Sequence, residues 1–437
     1  MSTSPARTLH FTLAAAVIGV LTGIAAASFA VVLRSATVLR GDLIRWSHAS
    51  SPLTAAVVIG LAAVATATAA WLVHRIEPHA EGSGIPRVEA VVEGRTEPGR
   101  PRILPVKYLG GLLSIGSGLA LGREGPSVQM GGNIGVIVAR AMGCTRDELR
   151  VLVAGGAAAG LATAFSAPIA GGVFVLEELL KRFDPRTTIA TLVSSATGFA
   201  SARVLFGLNT DFHLAPLAEP RLSQAPLVLA VGLLTGVAGA LYNRLVMLGL
   251  RVADRSRIHV VVRALAIGAA VGTVAWFAPD LVGGGDLLTQ RALLGEGTVL
   301  AVCGVLLART ILGVVSYAAA VPGGLFAPML VLGTHLGLLV GLLGHRFMPG
   351  LAPEPAALAL IGMAAFFASS VRAPVTGIIL ATEMTGSVVL LPPMLGACAI
   401  AMLVAMMMRS TPIYDALTER AALRAAENEA AQRAGLA

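Results

Sequence analysis

Glu124 stands in Gly122-Arg123-Glu124-Gly125-Pro126, between a glycine-rich apolar stretch at 110–121 and an uncharged stretch at 127–139. An ionised carboxylate in such surroundings is expensive, so an acid kept inside an apolar segment points to function. A carboxylate can take up and release a proton, and when ionised it is itself an anion. Its neighbours suit a site for negative charge. Glycine lets backbone amides come close to a ligand, and proline is tolerated in a first helical turn, where its missing N–H is no loss. The segment therefore reads as a helix N-terminus aimed at something negative. Gly82-Ser83-Gly84-Ile85-Pro86 has the same glycine-to-proline start and adds a hydroxyl donor at Ser83. A second acidic spot is Glu177-Glu178, just ahead of the basic Lys181, Arg182 and Arg186. The chain has no His-Glu-x-x-His, Gly-x-Ser-x-Gly or Gly-x4-Gly-Lys pattern, the marks of metallohydrolases, serine hydrolases and phosphate loops. No catalytic residue, metal or cofactor is expected, and neither is an enzyme.

The elements that position these groups must live in lipid. Of 437 residues, 56% are hydrophobic and 13% charged, against about 25% charged in soluble domains. Apolar runs of roughly 17 residues or more, enough to cross a bilayer, occur at 11–33, 54–73, 225–242, 298–320 and 355–371. The first is longer than a signal-peptide core of about 7–15 residues and reads as a retained membrane segment. Fifty glycines and 23 prolines suit helices that are broken or closely packed. Lys181, Arg182 and Arg186 mark one loop as cytoplasmic, as do Arg251, Arg255, Arg257 and Arg263 for another. The tail with Arg409, Arg420, Arg424 and Arg433 belongs on the same side. The stretches 208–224 and 279–297, with only Arg221 and Arg291, read as external. The net charge of +8 follows from these loops and implies no nucleic-acid partner. Cys144, Cys303 and Cys398 lie far apart without ligand spacing and are expected to be small packing residues.

Two halves of the chain share a pattern. Gly122, Pro126, Gly131 and Gly135 recur as Gly324, Pro328, Gly333 and Gly337, 202 residues on. Gly156, Ala167-Pro168, Gly171 and Glu177 recur as Gly362, Ala373-Pro374, Gly377 and Glu383, 206 residues on. Duplicated apolar segments interrupted by Gly and Pro mark a repeat-built transporter with its site at the repeat interface. Helix N-termini meeting there would make an anion site from backbone alone. Glu177 and Glu383 hold equivalent positions, which suggests helix-end architecture. Arg309 and Arg372 are expected to satisfy buried carbonyls or acids, and His335 to be a packed, satisfied histidine.

These residues together resemble the CLC family of chloride channels and chloride/proton antiporters, most of all its bacterial antiporters. The signature segments stand in the family's order: 82–86, 122–126, and Gly323-Gly324-Leu325-Phe326-Ala327-Pro328, followed by Tyr414 after the last span. The likeness runs from about residue 10 to residue 420. It implies an all-α polytopic membrane protein, a CLC-like fold of about eighteen helices in two inverted-topology repeats whose broken helices meet mid-membrane. It further implies a homodimer with one pore per subunit, in the bacterial inner membrane with cytoplasmic termini. The expected divisions are a 1–10 segment, halves at 11–207 and 225–408 joined by an external 208–224 linker, and a 409–437 tail. That tail is too short for the paired nucleotide-sensing domains of many eukaryotic members.

The family's roles, carried over, put chloride on the hydroxyls of Ser83 and Tyr414 and the amides of Leu325 and Phe326, with Gly84 beside Ser83. Glu124 is expected to be the gate and proton carrier, with amides of Arg123 and Gly125 around an outer site. Glu178 matches the antiporters' internal proton-transfer acid, which passive members generally lack; a passive chloride channel on the same fold is the alternative. Ser83 points to chloride, since nitrate-preferring members tend to carry proline there. One departure is Ala319-Ala320-Val321-Pro322, where the family often shows Ser-Gly-Ala-Pro.

Overall fold

The computed structural model describes residues 5–51, 53–207, 212–219 and 221–433, so the chain ends and part of the 208–224 linker lie outside the described residues. Among the described residues there are seventeen α-helices and no strand. The first half holds α1 (Pro5–Ala49), α2 (Leu53–Arg75), α3 (Ile85–Val92), α4 (Ile103–Gly116), α5 (Glu124–Ala141), α6 (Arg146–Ala164), α7 (Pro168–Phe174) and α8 (Pro185–Phe206). The second holds α9 (Ala225–Arg255), α10 (Val260–Phe277), α11 (Asp286–Leu293), α12 (Val299–Tyr317), α13 (Phe326–Phe347), α14 (Pro355–Val371), α15 (Pro374–Thr385) and α16 (Leu391–Met407). The last helix is α17 (Ile413–Arg433). Seven of these, α1, α2, α8, α9, α10, α12 and α13, are long and apolar enough to cross a bilayer. The runs at 11–33, 54–73 and 225–242 fall within α1, α2 and α9, and 355–371 is α14. No uninterrupted run marked α8 or α10, because Ser and Thr in the one and Arg263 in the other break the apolar stretch. Some of the remaining elements are too short to span. α3 has eight residues, and α7 has seven before a π-helical turn at Val175–Leu179.

Packing repeats between the halves. α5 lies against α6 and α13 against α14, and both pairs cross on glycine. A Cβ on Gly131 would collide with the Gly156 carbonyl oxygen, and one on Gly156 with that of Gly131; Gly333 and Gly362 exclude each other's Cβ likewise. Such close backbones are what small residues permit in a membrane.

Equivalent residues also bond reciprocally, as a two-fold relation requires. Gly122 and Gly324 each donate N–H to the other's carbonyl, both at 2.8 Å. Glu177 accepts from the amides of Val375 and Thr376 at 3.0 and 2.7 Å, and Glu383 accepts from Ile169 and Ala170 at 3.0 and 2.7 Å. Each acid thus caps the first turn of the other half's helix, where unpaired amides and the positive dipole end favour a carboxylate. The two acids are architecture, as expected.

The halves run in opposite senses. α7 heads into the loop with Lys181, whereas the end of α15 receives the Phe212 N–H on the Met384 carbonyl at 3.2 Å. One pole gathers Lys181, Asp254, Asp415, Arg420 and Arg424 in ion pairs. The other joins His213 to Gln290 by two hydrogen bonds of 2.9 and 2.8 Å. Segments assigned to one side by their Lys and Arg therefore meet at one pole, and the sparsely charged ones at the opposite pole.

Candidate functional site

Three helix N-termini converge between the halves. The residues ahead of α3, α5 and α13 are laced together: Gly82 N–H donates to the Val321 carbonyl at 3.1 Å, Gly323 N–H to Gly82 at 3.0 Å, and Gly122 pairs with Gly324. Each helix start leaves unpaired amides and the positive end of a dipole. Their meeting point attracts an anion without a basic side chain. Three residues not singled out in the sequence build this frame. Lys107 is fully buried and donates Nζ to the carbonyls of Ala80 at 3.1 Å and Gly82 at 2.7 Å. Ser114 Oγ donates to the Pro322 carbonyl at 2.5 Å, and the Tyr317 hydroxyl accepts from Ser83 N–H at 3.4 Å. A lysine inside the apolar stretch 103–116 was the available signal for the first.

Glu124 begins α5 and is 2% exposed. Its Oε2 has no hydrogen-bond partner and folds back over Gly122, where any Cβ would collide with it. The carboxylate faces the amides of Glu124 itself and of Ala327, in the first turn of α13. Burial opposes its charge while the helix start and its amides favour it. Arg123 donates Nε to the Ala164 carbonyl at 3.1 Å. A cavity of about 230 Å³ opens beside Glu124, lined by Arg34, Arg123, Phe212 and Asp286 among others.

The remaining expected ligands surround the start of α13. Ser83 is buried, and its Oγ accepts from Ile85 N–H at 3.3 Å, leaving its own hydrogen to donate. Tyr414 is fully buried at the start of α17, and its hydroxyl has no hydrogen-bond partner. Leu325 and Phe326 are fully buried. The Phe326 ring packs against Phe165, Phe174 and Phe367 at centroid distances of 5.0, 5.7 and 4.4 Å, and Phe174 meets Tyr414 at 6.4 Å. Gly84 caps α3 in the left-handed conformation at φ +79°, where a Cβ would strike Gln129. A Cβ on Gly125 would lie 2.8 Å from Ser83, so the two motifs are in direct contact.

Glu178 lies on the π-helical turn, 5% exposed, facing the charges of Lys181, Asp415, Glu89 and Glu177. The buried Tyr414 hydroxyl is within electrostatic reach of both Glu178 and Glu124. Arg309 donates to the carbonyls of Leu281, Gly283 and Gly284, and Arg372 to those of Met402 and Ser410. His335 shares Nδ1 with the Val331 carbonyl at 2.8 Å. These three are structural, as expected. Cys398 is buried, but Cys303 is exposed and Cys144 half-buried, so packing does not account for Cys303. α12 turns that face outward, and a small, weakly polar thiol is tolerated there.

Residues 64–406 match the family described as voltage gated chloride channel. The H(+)/Cl(−) exchange transporter ClcA of Vibrio parahaemolyticus is 34% identical over 414 residues, covering 93% of this chain and 88% of its own. The protein of that name from Vibrio cholerae is 37% identical over 362 residues, 80% of this chain and 76% of its own. The crystal structure of a slow cyanobacterial Cl−/H+ antiporter superposes with a TM-score of 0.91 at 32% identity, covering 96% of this chain and 99% of that one. A CLC-type fluoride/proton antiporter, at 22% identity and a TM-score of 0.78 over 95% of this chain and 99% of its own, shares the fold. With its paired halves, its three converging helix starts and these relatives, the chain belongs to the voltage-gated chloride channel (CLC) family.

Proposed function

We propose that the protein exchanges chloride for protons across a membrane, with Glu124 as both gate and proton carrier. The observation that carries this reading is a buried carboxylate with a free oxygen, lying on the helix start that would otherwise hold an anion. Ionised, Glu124 occupies that position itself. Protonated, it loses its attraction for the amides and yields the place to chloride. Anion entry and proton binding thereby become linked through one side chain, as exchange requires. In this reading the central chloride rests on the hydroxyls of Ser83 and Tyr414 and the amides of Leu325 and Phe326, with Gly84 fixing the Ser83 turn. The amides of Arg123 and Gly125 serve the outer site, and Glu178 passes protons from the basic pole. The names of the Vibrio relatives favour exchange over a passive channel.

The same proposal places the protein in a bacterial inner membrane, with both termini and the basic pole in the cytoplasm. It divides the chain into halves at 11–207 and 225–408 and a tail at 409–437 that supplies Tyr414. It also pairs two copies as a homodimer with a pathway in each, since Glu124, Ser83 and Tyr414 come together within one chain. The reading is tested in liposomes. An imposed chloride gradient should drive protons uphill through the wild-type protein; chloride flux with no proton movement would contradict exchange and favour the passive channel.

A further inference from the structure

One ion pair at the basic pole joins the two segments on which exchange depends. Lys181 Nζ lies 2.9 Å from Asp415 Oδ1 and 3.9 Å from Glu89 Oε1. Lys181 comes three residues after Glu178, and Asp415 directly follows Tyr414 in the first turn of α17. The pair therefore ties the acid-bearing turn to the helix that carries the free tyrosine hydroxyl.

The backbone commits Lys181 to this place. It sits at φ +52°, in the left-handed region that a residue with a Cβ enters at a cost. Two hydrogen bonds close the turn around it, Leu180 N–H to the Val175 carbonyl at 2.9 Å and Arg182 N–H to the Leu176 carbonyl at 3.1 Å. Its acidic surroundings explain why a cation stands here. Glu89 is buried, accepts from Thr418 Oγ1 at 3.0 Å and meets Arg95 at 3.5 Å. Lys181 is a cation facing buried Glu178, among the acids Asp415, Glu89 and Glu177.

We propose that the Lys181–Asp415 ion pair is a positioning brace that holds Glu178 and Tyr414 in one frame, so that proton delivery and closure of the anion path move together. The inference rests on the exchange reading above, and it assigns neither residue a contact with chloride or the travelling proton.

The exposure of the pair, 48% and 36% of the two side chains, limits its strength; such pairs shift an equilibrium by at most about fivefold. Asp415→Asn should therefore lower the protons carried per chloride by about two- to fivefold while chloride flux continues. Lys181→Met should lower the ratio further, by roughly tenfold, because it also takes a facing cation from buried Glu178 and leaves buried Glu89 with Arg95 alone of its two ion-pair partners. Lys181→Arg keeps charge and reach and should return the ratio to near the wild-type value. Chloride titration calorimetry on the same purified proteins should show binding weakened two- to fivefold, by about the same factor, in Asp415→Asn. An unchanged ratio with unchanged chloride affinity would overturn the brace. So would equal losses of both fluxes at a constant ratio, which is what mere loss of folded protein produces. If the wild type itself moved chloride without protons, the exchange reading would fall. The brace would then be judged on chloride affinity alone, upheld by weaker binding in Asp415→Asn and overturned by unchanged binding.

Discussion

At the scale of single residues, the proposed function rests on two unsatisfied oxygens. Glu124 Oε2 and the Tyr414 hydroxyl are buried without a hydrogen-bond partner, and a buried polar atom left unpaired is costly enough to ask what it waits for. In the proposed reading an anion between helix starts answers for Tyr414, and a proton answers for Glu124. Tyr414→Phe removes one donor to a charged ligand, an interaction of about 1.5–3 kcal/mol, so chloride affinity measured by calorimetry should fall roughly tenfold or more. Unchanged affinity would remove Tyr414 from the site. Glu178→Gln replaces a group that can carry a proton with one that cannot. Proton transport should stop while chloride binding persists; loss of chloride binding would make Glu178 a structural residue instead.

At the scale of elements, the structure depends on how helices start. Glu177 and Glu383 each satisfy two amides across the repeat interface, and Glu177 also accepts from the Thr376 hydroxyl at 2.7 Å. Replacing either by Ala orphans those donors at a cost of about 1–3 kcal/mol. Unfolding in detergent should show both losses, with Glu177→Ala the larger; a neutral effect of either would contradict the capping role. The departure at Ala319-Ala320-Val321-Pro322 has a backbone meaning. Ala320 sits at φ +58°, at the place where the resemblance would put glycine. A left-handed alanine costs about 1–2 kcal/mol, part of which glycine's extra freedom in the unfolded chain offsets. Ala320→Gly should therefore raise the thermal midpoint modestly, and a lowered midpoint would show that another contact fixes Ala320.

At the scale of the whole molecule, most of the architecture was legible because it is repeated. The spacing of Gly122 to Gly135 and of Gly324 to Gly337 announced two equivalent helix starts, and the reciprocal Gly122–Gly324 bonds are that equivalence in three dimensions. Loops that arginine placement grouped together meet at one pole of the fold, and the sparsely charged ones meet at the other. Tyr317 and the Lys181–Asp415 pair were not legible, since each acts across a long stretch of chain on a partner that no local spacing reveals, whereas Lys107 offered its charge within an apolar stretch as a signal but not its carbonyl partners. The hidden spans α8 and α10 had a different cause: their polar residues pack inward or sit at the ends, which a count of consecutive apolar residues cannot register. The central claim is that one carboxylate carries the proton and blocks the anion. Its most direct test is paired chloride and proton flux through wild type and Glu124→Gln in the same liposomes. The account predicts coupled fluxes in the wild type, and chloride flux with no proton movement once the acid is an amide. Proton coupling that survives Glu124→Gln would contradict it.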